Sequence, residues 1–191
     1  DGWTVPPGTL TDFVLAEDGG VRHPVLDAEA ARDLLAALRA AREDALLRNT
    51  VQERVRLCGR AGARFLDPAD PLRQEAEERL PATADISPEM ARAVIEGMAR
   101  DWTGERLAAL LSAELSQPEA LDRFVPQPGG GRARAFAPAL SFHIGAGTVP
   151  GVSATSMLRG LLLGSATFVK PGVGDVVLPV LLARALAEEA P

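Results

Sequence analysis

Apolar side chains recur three and four positions apart over residues 27–49, with Ala31, Leu34, Leu35, Leu38 and Ala41 aligned. That spacing gathers them on one face of an α-helix. Asp27 stands where a side-chain oxygen can cap the first free amides. The same reading predicts a second helix over 50–65 and a third over 71–80, with Asp70 as cap and Pro71 in the first turn. A fourth opens at Ser87-Pro88-Glu89, and 103–115 and 118–124 complete a helical region. Ahead of it, residues 1–25 are rich in Gly and Pro, and the run from Thr9 to Leu15 predicts at most a short strand or two.

The pattern changes at Pro126-Gln127-Pro128-Gly129-Gly130-Gly131, which is a turn or linker. Beyond it, 139–144 is a compact apolar run of strand length, and Gly145 to Gly151 is a glycine loop. A helix is predicted over 152–163, carried by Val152, Leu158, Leu161 and Leu162. A second strand over 166–169 ends at Lys170-Pro171-Gly172, and a last helix covers 176–189. Strand, helix, strand, helix in that order implies a parallel sheet with crossover connections. The expected fold class is therefore α/β. Residues 1–125 form a mainly helical N-terminal region, and 126–191 an incomplete Rossmann-like β-α-β-α unit.

Composition narrows the function. With 47% hydrophobic residues the chain can bury a core, and its net charge of −6 argues against nucleic-acid binding. Cys58 is the single cysteine, which excludes an internal disulfide or a cysteine-rich zinc site and fits a reducing cytoplasm. No apolar stretch is long enough to span a bilayer. The chain starts at Asp1 without a methionine and stops at Pro191 after a helical run, as the edges of a fragment would. Of the 20 basic residues, 19 are Arg and one is Lys170. A lone lysine in so arginine-rich a chain points to a place that needs a compact ammonium on a flexible stem, with chance as the plain alternative.

Gly145-Ala146-Gly147 follows a strand and opens a helix, so backbone amides there can approach a ligand closely. The spacing approaches a dinucleotide fingerprint, with Pro150 in place of its last glycine. At the end of the second strand, where an acidic residue selects the unphosphorylated cofactor, the chain has Lys170, with Gly172 and Gly174 following. A cation there favours a 2′-phosphate.

The stretch Phe142 to Gly151, followed by Leu161 to Pro171, resembles the aldehyde-dehydrogenase superfamily, and more narrowly the acyl-CoA reductases related to the fatty-acid reductase of bacterial luminescence. The specific resemblance covers about 132–190, and the helical first half is compatible with it. It implies an incomplete aldehyde-dehydrogenase fold and an NADPH-dependent reductase, with NADH possible, that takes an acyl-CoA or acyl-carrier thioester to an aldehyde. It implies that Lys170, with Pro171 and Gly172, meets the adenosine ribose or its phosphate. Gly145, Ala146 and Gly147 would lie beside the nicotinamide and the reacting carbonyl. The family's oxyanion-holding asparagine falls on Thr148, whose hydroxyl donates one hydrogen bond with a different reach. Losing one such donor costs roughly 10²–10³ in rate. A glutamate common after the lysine is replaced by Val173, in keeping with a 2′-phosphate. The family's catalytic cysteine and the rest of its cofactor site lie C-terminal to the lysine strand. The expectation is a chain inactive alone, completed by a further segment or a partner chain, within a homo-oligomeric cytoplasmic enzyme.

Other residues draw plainer readings. Cys58, in a helical run with no neighbouring histidine, reads as a buried structural thiol, and His143 as a packed strand residue. His23 reads as a solvated loop residue, Asp175 as a cap for the last helix, and Trp3 and Trp102 as packing residues. Glu75, Glu77 and Glu78 read as a solvated face, and no residues make a metal site. Two alternatives stand beside the reductase: an aldehyde dehydrogenase, disfavoured by Gly-Ala-Gly in place of Pro-Trp-Asn, and a non-catalytic helical interaction module with a degenerate cofactor fold.

Overall fold

A computed structural model describes residues 26–147 and 149–189. The chain is mixed α/β. Five helices come first: α1 (Ala28–Asp44), α2 (Val51–Ala63), α3 (Pro71–Ala84), α4 (Pro88–Asp101) and α5 (Gly104–Glu114). A hairpin of β1 (Val125–Pro126) and β2 (Arg132–Ala133) precedes β3 (Leu140–Ile144), α6 (Val152–Leu163), β4 (Ala166–Lys170) and α7 (Val177–Glu189). Trp3, His23 and the short strands expected before residue 26 lie outside the described residues.

Local chemistry sets the helix starts. Asp27 accepts from the amides of Glu29 and Ala30, and Thr50 with Glu53 closes a capping box on α2. Asp70 accepts from the Leu72 amide at 2.8 Å, and Ser87 from that of Met90 at 3.2 Å. Helix ends depart further from expectation. α1 stops at Asp44, and Leu46–Arg48 is a 3-10 turn, because the backbone must leave helical geometry to place Thr50 as the next cap. α3 runs on through Pro81, which falls in its last turn, and stops at Asp85 in the left-handed conformation with φ 52°. The stretch 118–124 is only a 3-10 turn, Pro118–Leu121, since Asp122 is drawn away to accept from the Val51 amide at 2.9 Å. The glycines after Pro128 make the hairpin turn, with Gly130 and Gly131 at φ 89° and 79°.

The helices before and after residue 126 share one hydrophobic core, containing Phe65, Leu80, Ile95, Trp102, Leu158, Leu162, Leu181 and Leu182. α2 runs through its middle, packed on α5, α6 and α7. Phe65 meets Trp102 edge-on at 5.8 Å, and the Trp102 indole donates to Thr155 Oγ1 at 2.9 Å, so Trp102 ties α6 to the helical layer. Buried Arg54 is the polar counterpart. It donates to the carbonyls of Leu162 and Asn49 and pairs with Asp122 at 3.3 Å. The acidic face expected on α3 is partly paired instead: Glu75 meets Arg79 and Arg184, and Glu77 meets Arg73, while Glu78 is exposed. Among the described residues no helix is long and apolar enough to cross a membrane.

β3 and β4 pair in parallel, Leu140 with Ala166 through Ile144 with Lys170. Phe142 and Phe168 share one face with ring centroids 5.2 Å apart. The other face carries Ser141, His143, Thr167 and Val169, and α6 lies on it where Gly160 meets Thr167. Phe142 and Ile144 remain 58% and 72% exposed.

Candidate functional site

The carboxyl ends of β3 and β4 carry two loops, and the structure brings them into backbone contact. The Gly145 amide donates to the Lys170 carbonyl at 2.8 Å, continuing the ladder one step past the strands. The Gly174 amide donates to the Gly147 carbonyl at 3.0 Å. Gly172 presses directly on the backbone of Ala146 and Gly147, leaving no space for a Cβ. Pro171 lies against Gly145. Five of the predicted site residues, Gly145, Ala146, Gly147, Pro171 and Gly172, therefore form one small surface, with Lys170 at its strand edge. Thr148, the oxyanion candidate, lies outside the described residues.

Lys170 is exposed and forms no ion pair among the described residues. Gly147 has open space where a Cβ would point, and Val173 at the tip of the second loop is 83% exposed. Lys170, the open Gly147 and the apolar Val173 thus all lie on the two loops beyond the carboxyl ends of the strands, the side on which open α/β sheets usually take ligands.

Asp175 changes the picture of the helix start beside these loops. Its carboxylate accepts from the Gly151 amide at 2.5 Å and the Ser153 amide at 2.6 Å. It therefore caps α6 and not α7, the helix that follows it in sequence. The residue is fully buried, and burial holds its carboxyl above the ordinary carboxylate range, opposed by the two amides. The first amides of α6, which a phosphate could otherwise occupy, already hold an internal anion. Nothing local to Asp175 reveals this partnership, because it exists only once the two loops meet. A polar residue five positions beyond a strand-ending lysine is the sole trace left in the sequence.

His143 stands on β3 opposite Val169, half-buried, its Nε2 buried with no hydrogen-bond partner among the described residues. Cys58 lies in α2, beside Ala166 and Thr167 at the start of β4 and so at the far end of the sheet from Lys170. Burial pushes its thiol up to about 12, so it is held as an inert thiol rather than a thiolate.

A family model described as acyl-CoA reductase (LuxC) matches residues 46–191. No curated protein and no solved structure gave a match.

Proposed function

The chain belongs to the acyl-CoA reductase (LuxC) family, and from that membership we propose that it forms the N-terminal part of an NADPH-dependent reductase that converts an acyl thioester to an aldehyde. One observation carries the cofactor half of this reading: Lys170 at the end of β4 is exposed and forms no ion pair among the described residues, on the loop surface that also holds the open Gly147. A lysine is a compact point charge suited to a phosphate. Val173 stands where a carboxylate would repel a 2′-phosphate, and the loop's own carboxylate, Asp175, is buried and turned to the start of α6. The capped start of α6 fits less well, since Asp175 already takes the amides a pyrophosphate would need. In this reading the loop surface therefore takes the adenosine ribose phosphate, and the pyrophosphate is held by other groups.

NADPH, when bound, supplies the hydride that takes the thioester carbon to the aldehyde level. The chain's own residues bind and orient. Lys170 holds the phosphate, the Gly145–Gly147 backbone lets the ligand approach closely, and Thr148 offers a hydroxyl to the carbonyl oxygen. The nucleophilic cysteine is supplied from outside these residues, because Cys58 is buried and its thiol does not ionise near neutral pH.

Titrating wild type and Lys170→Ala with NADPH and NADH tests the reading. A lost charge-assisted contact weakens NADPH binding about 10-fold or more, and NADH binding should change little. In the complete enzyme, equal losses for the two cofactors would sink the phosphate role.

A further inference from the structure

Charge is unevenly laid out along the chain. The net charge is −6, yet no Asp or Glu occurs from Arg123 to Gly174, so all 26 acids lie outside that stretch. Three arginines of the stretch, Arg123, Arg132 and Arg134, stand on the β1–β2 hairpin or directly beside it. All three are exposed, and none has a carboxylate partner among the described residues. Arginines on the helices differ: Arg64, Arg73 and Arg100, for example, each hold a carboxylate. The acids nearest in sequence do not answer the hairpin charges. Asp122 turns to the Val51 amide and Arg54, Glu119 is half-buried, and Asp175 is buried on the amides of α6.

The same place exposes two aromatic rings. Phe124 and Phe136 are 50% and 77% exposed. Arg132 pairs across the hairpin with Pro126, and its guanidinium donates to the Phe124 carbonyl at 2.8 Å. Residues 132–136 read Arg-Ala-Arg-Ala-Phe, an alternation that in extended chain sends Arg132, Arg134 and Phe136 to one side. The Arg134 guanidinium does lie over the Phe136 ring, 5.1 Å from its centre. Ala135 between them is half-buried, and its amide donates to the Ala120 carbonyl at 2.8 Å, which anchors the run to the 3-10 turn.

We propose that this arginine–phenylalanine patch docks the chain on an anionic lipid bilayer, which it lies upon without crossing. The inference does not depend on the reductase reading. Unpaired guanidinium groups meet anionic headgroups, and phenylalanine beside them enters the boundary with the acyl chains. Two-residue strands and an extended run are a narrow support for the ~800 Å² that each side of a stable protein interface buries. A lipid surface needs no matched shape. Three arginines also make few phosphate contacts for a nucleic acid to be held by a chain of net charge −6, whereas at a bilayer the two rings add apolar burial.

Co-sedimentation of the full chain with vesicles tests this, using phosphatidylcholine alone and phosphatidylcholine mixed with phosphatidylserine. Binding should require phosphatidylserine and fall away at about 1 M salt, where charges are screened beyond ~3 Å. Arg132→Ala with Arg134→Ala should weaken it about 30-fold at low salt, with the melting temperature unchanged. Arg132→Lys with Arg134→Lys keeps both charges and should bind as wild type does. A loss as large as in the alanine pair would make the arginines structural and overturn the proposal. Phe136→Ser should weaken vesicle binding at least tenfold. Arg32→Ala, at an exposed cation of α1, should change nothing. Absence of binding at low salt, or binding that ignores phosphatidylserine, would also overturn it. So would a polyglutamate chain or an oligonucleotide bound more tightly than the vesicles, with Phe136→Ser making no difference. That outcome would assign the patch to an acidic protein or a nucleic acid instead.

Discussion

Asp175 decides how the loop surface is held. Two backbone amides near the start of a helix point at one carboxylate in a fully buried place. Truncating it strands both donors without water, and each stranded donor costs roughly 1–3 kcal/mol. Asp175→Ala should therefore lose about 3 kcal/mol of stability in chemical denaturation. Asp175→Asn keeps one acceptor oxygen and should lose about half of that. The pH dependence carries a definite sign. Burial raises the folded pKa above the unfolded value of 3.8, so the native state binds the proton more tightly. Its contribution is full below the unfolded pKa and declines as pH rises through the folded one. Asp175→Asn should remove that decline from the stability profile. An unchanged slope would mean that another group sets it.

At the scale of elements, Asp70 shows the opposite sign. Burial tends to raise its pKa, but the Arg64 pair at 2.7 Å and the Leu72 amide outweigh it, and the net shift is downward. Its stabilising contribution is complete above the unfolded value of 3.8 and fades as pH falls through the lower folded value. Asp70→Ala should cost about 1 kcal/mol from the cap alone, plus whatever the Arg64 pair adds. Asp70→Asn, which keeps a capping oxygen, isolates the charge pair, and its deficit should vanish as pH falls below the unfolded value and through the lower folded pKa. A deficit independent of pH would rule out the Arg64 pair as its source.

The contrast between these two aspartates explains how much the sequence disclosed. Asp27, Asp70 and Ser87 bond amides two or three residues away, so composition and spacing identify them as caps. The parallel β-α-β-α order and the membership of Gly145–Gly147 and Lys170–Gly172 in one surface were legible for the same reason, since strand-ending loops converge in such a unit. Asp175 bonds amides 22 and 24 residues away, and Asp122 reaches 71 residues back to Val51. Such long-range acceptors leave no local periodicity, and each one redirected an element or a cap. The depth of α1 was equally hidden: its leucines gather on one face, yet among the described residues none of the helix is buried.

Across the whole molecule, the composition shift at residue 126 does not coincide with a break in packing. Leu158, Leu162, Leu178, Leu181 and Leu182 are at most 1% exposed and belong to the same core as the helices that precede them. α6 packs on α2, and α7 on α2 and α3. Burying five leucines is worth about 7–15 kcal/mol at 1.5–3 kcal/mol each. The net stability of a typical domain is only about 5–15 kcal/mol, so losing burial on that scale is enough to unfold the segment. The β3–β4 pair cannot replace it, because isolated two-stranded units are marginal at best in water. Residues 126–191 produced alone should therefore give a disordered circular dichroism spectrum and no cooperative melt. Mixing them with residues 26–125 should restore helicity if the two pieces find each other. A cooperative transition in the isolated segment would show instead that the loop surface carries its own fold, and that the shared core is a docking interface between two units.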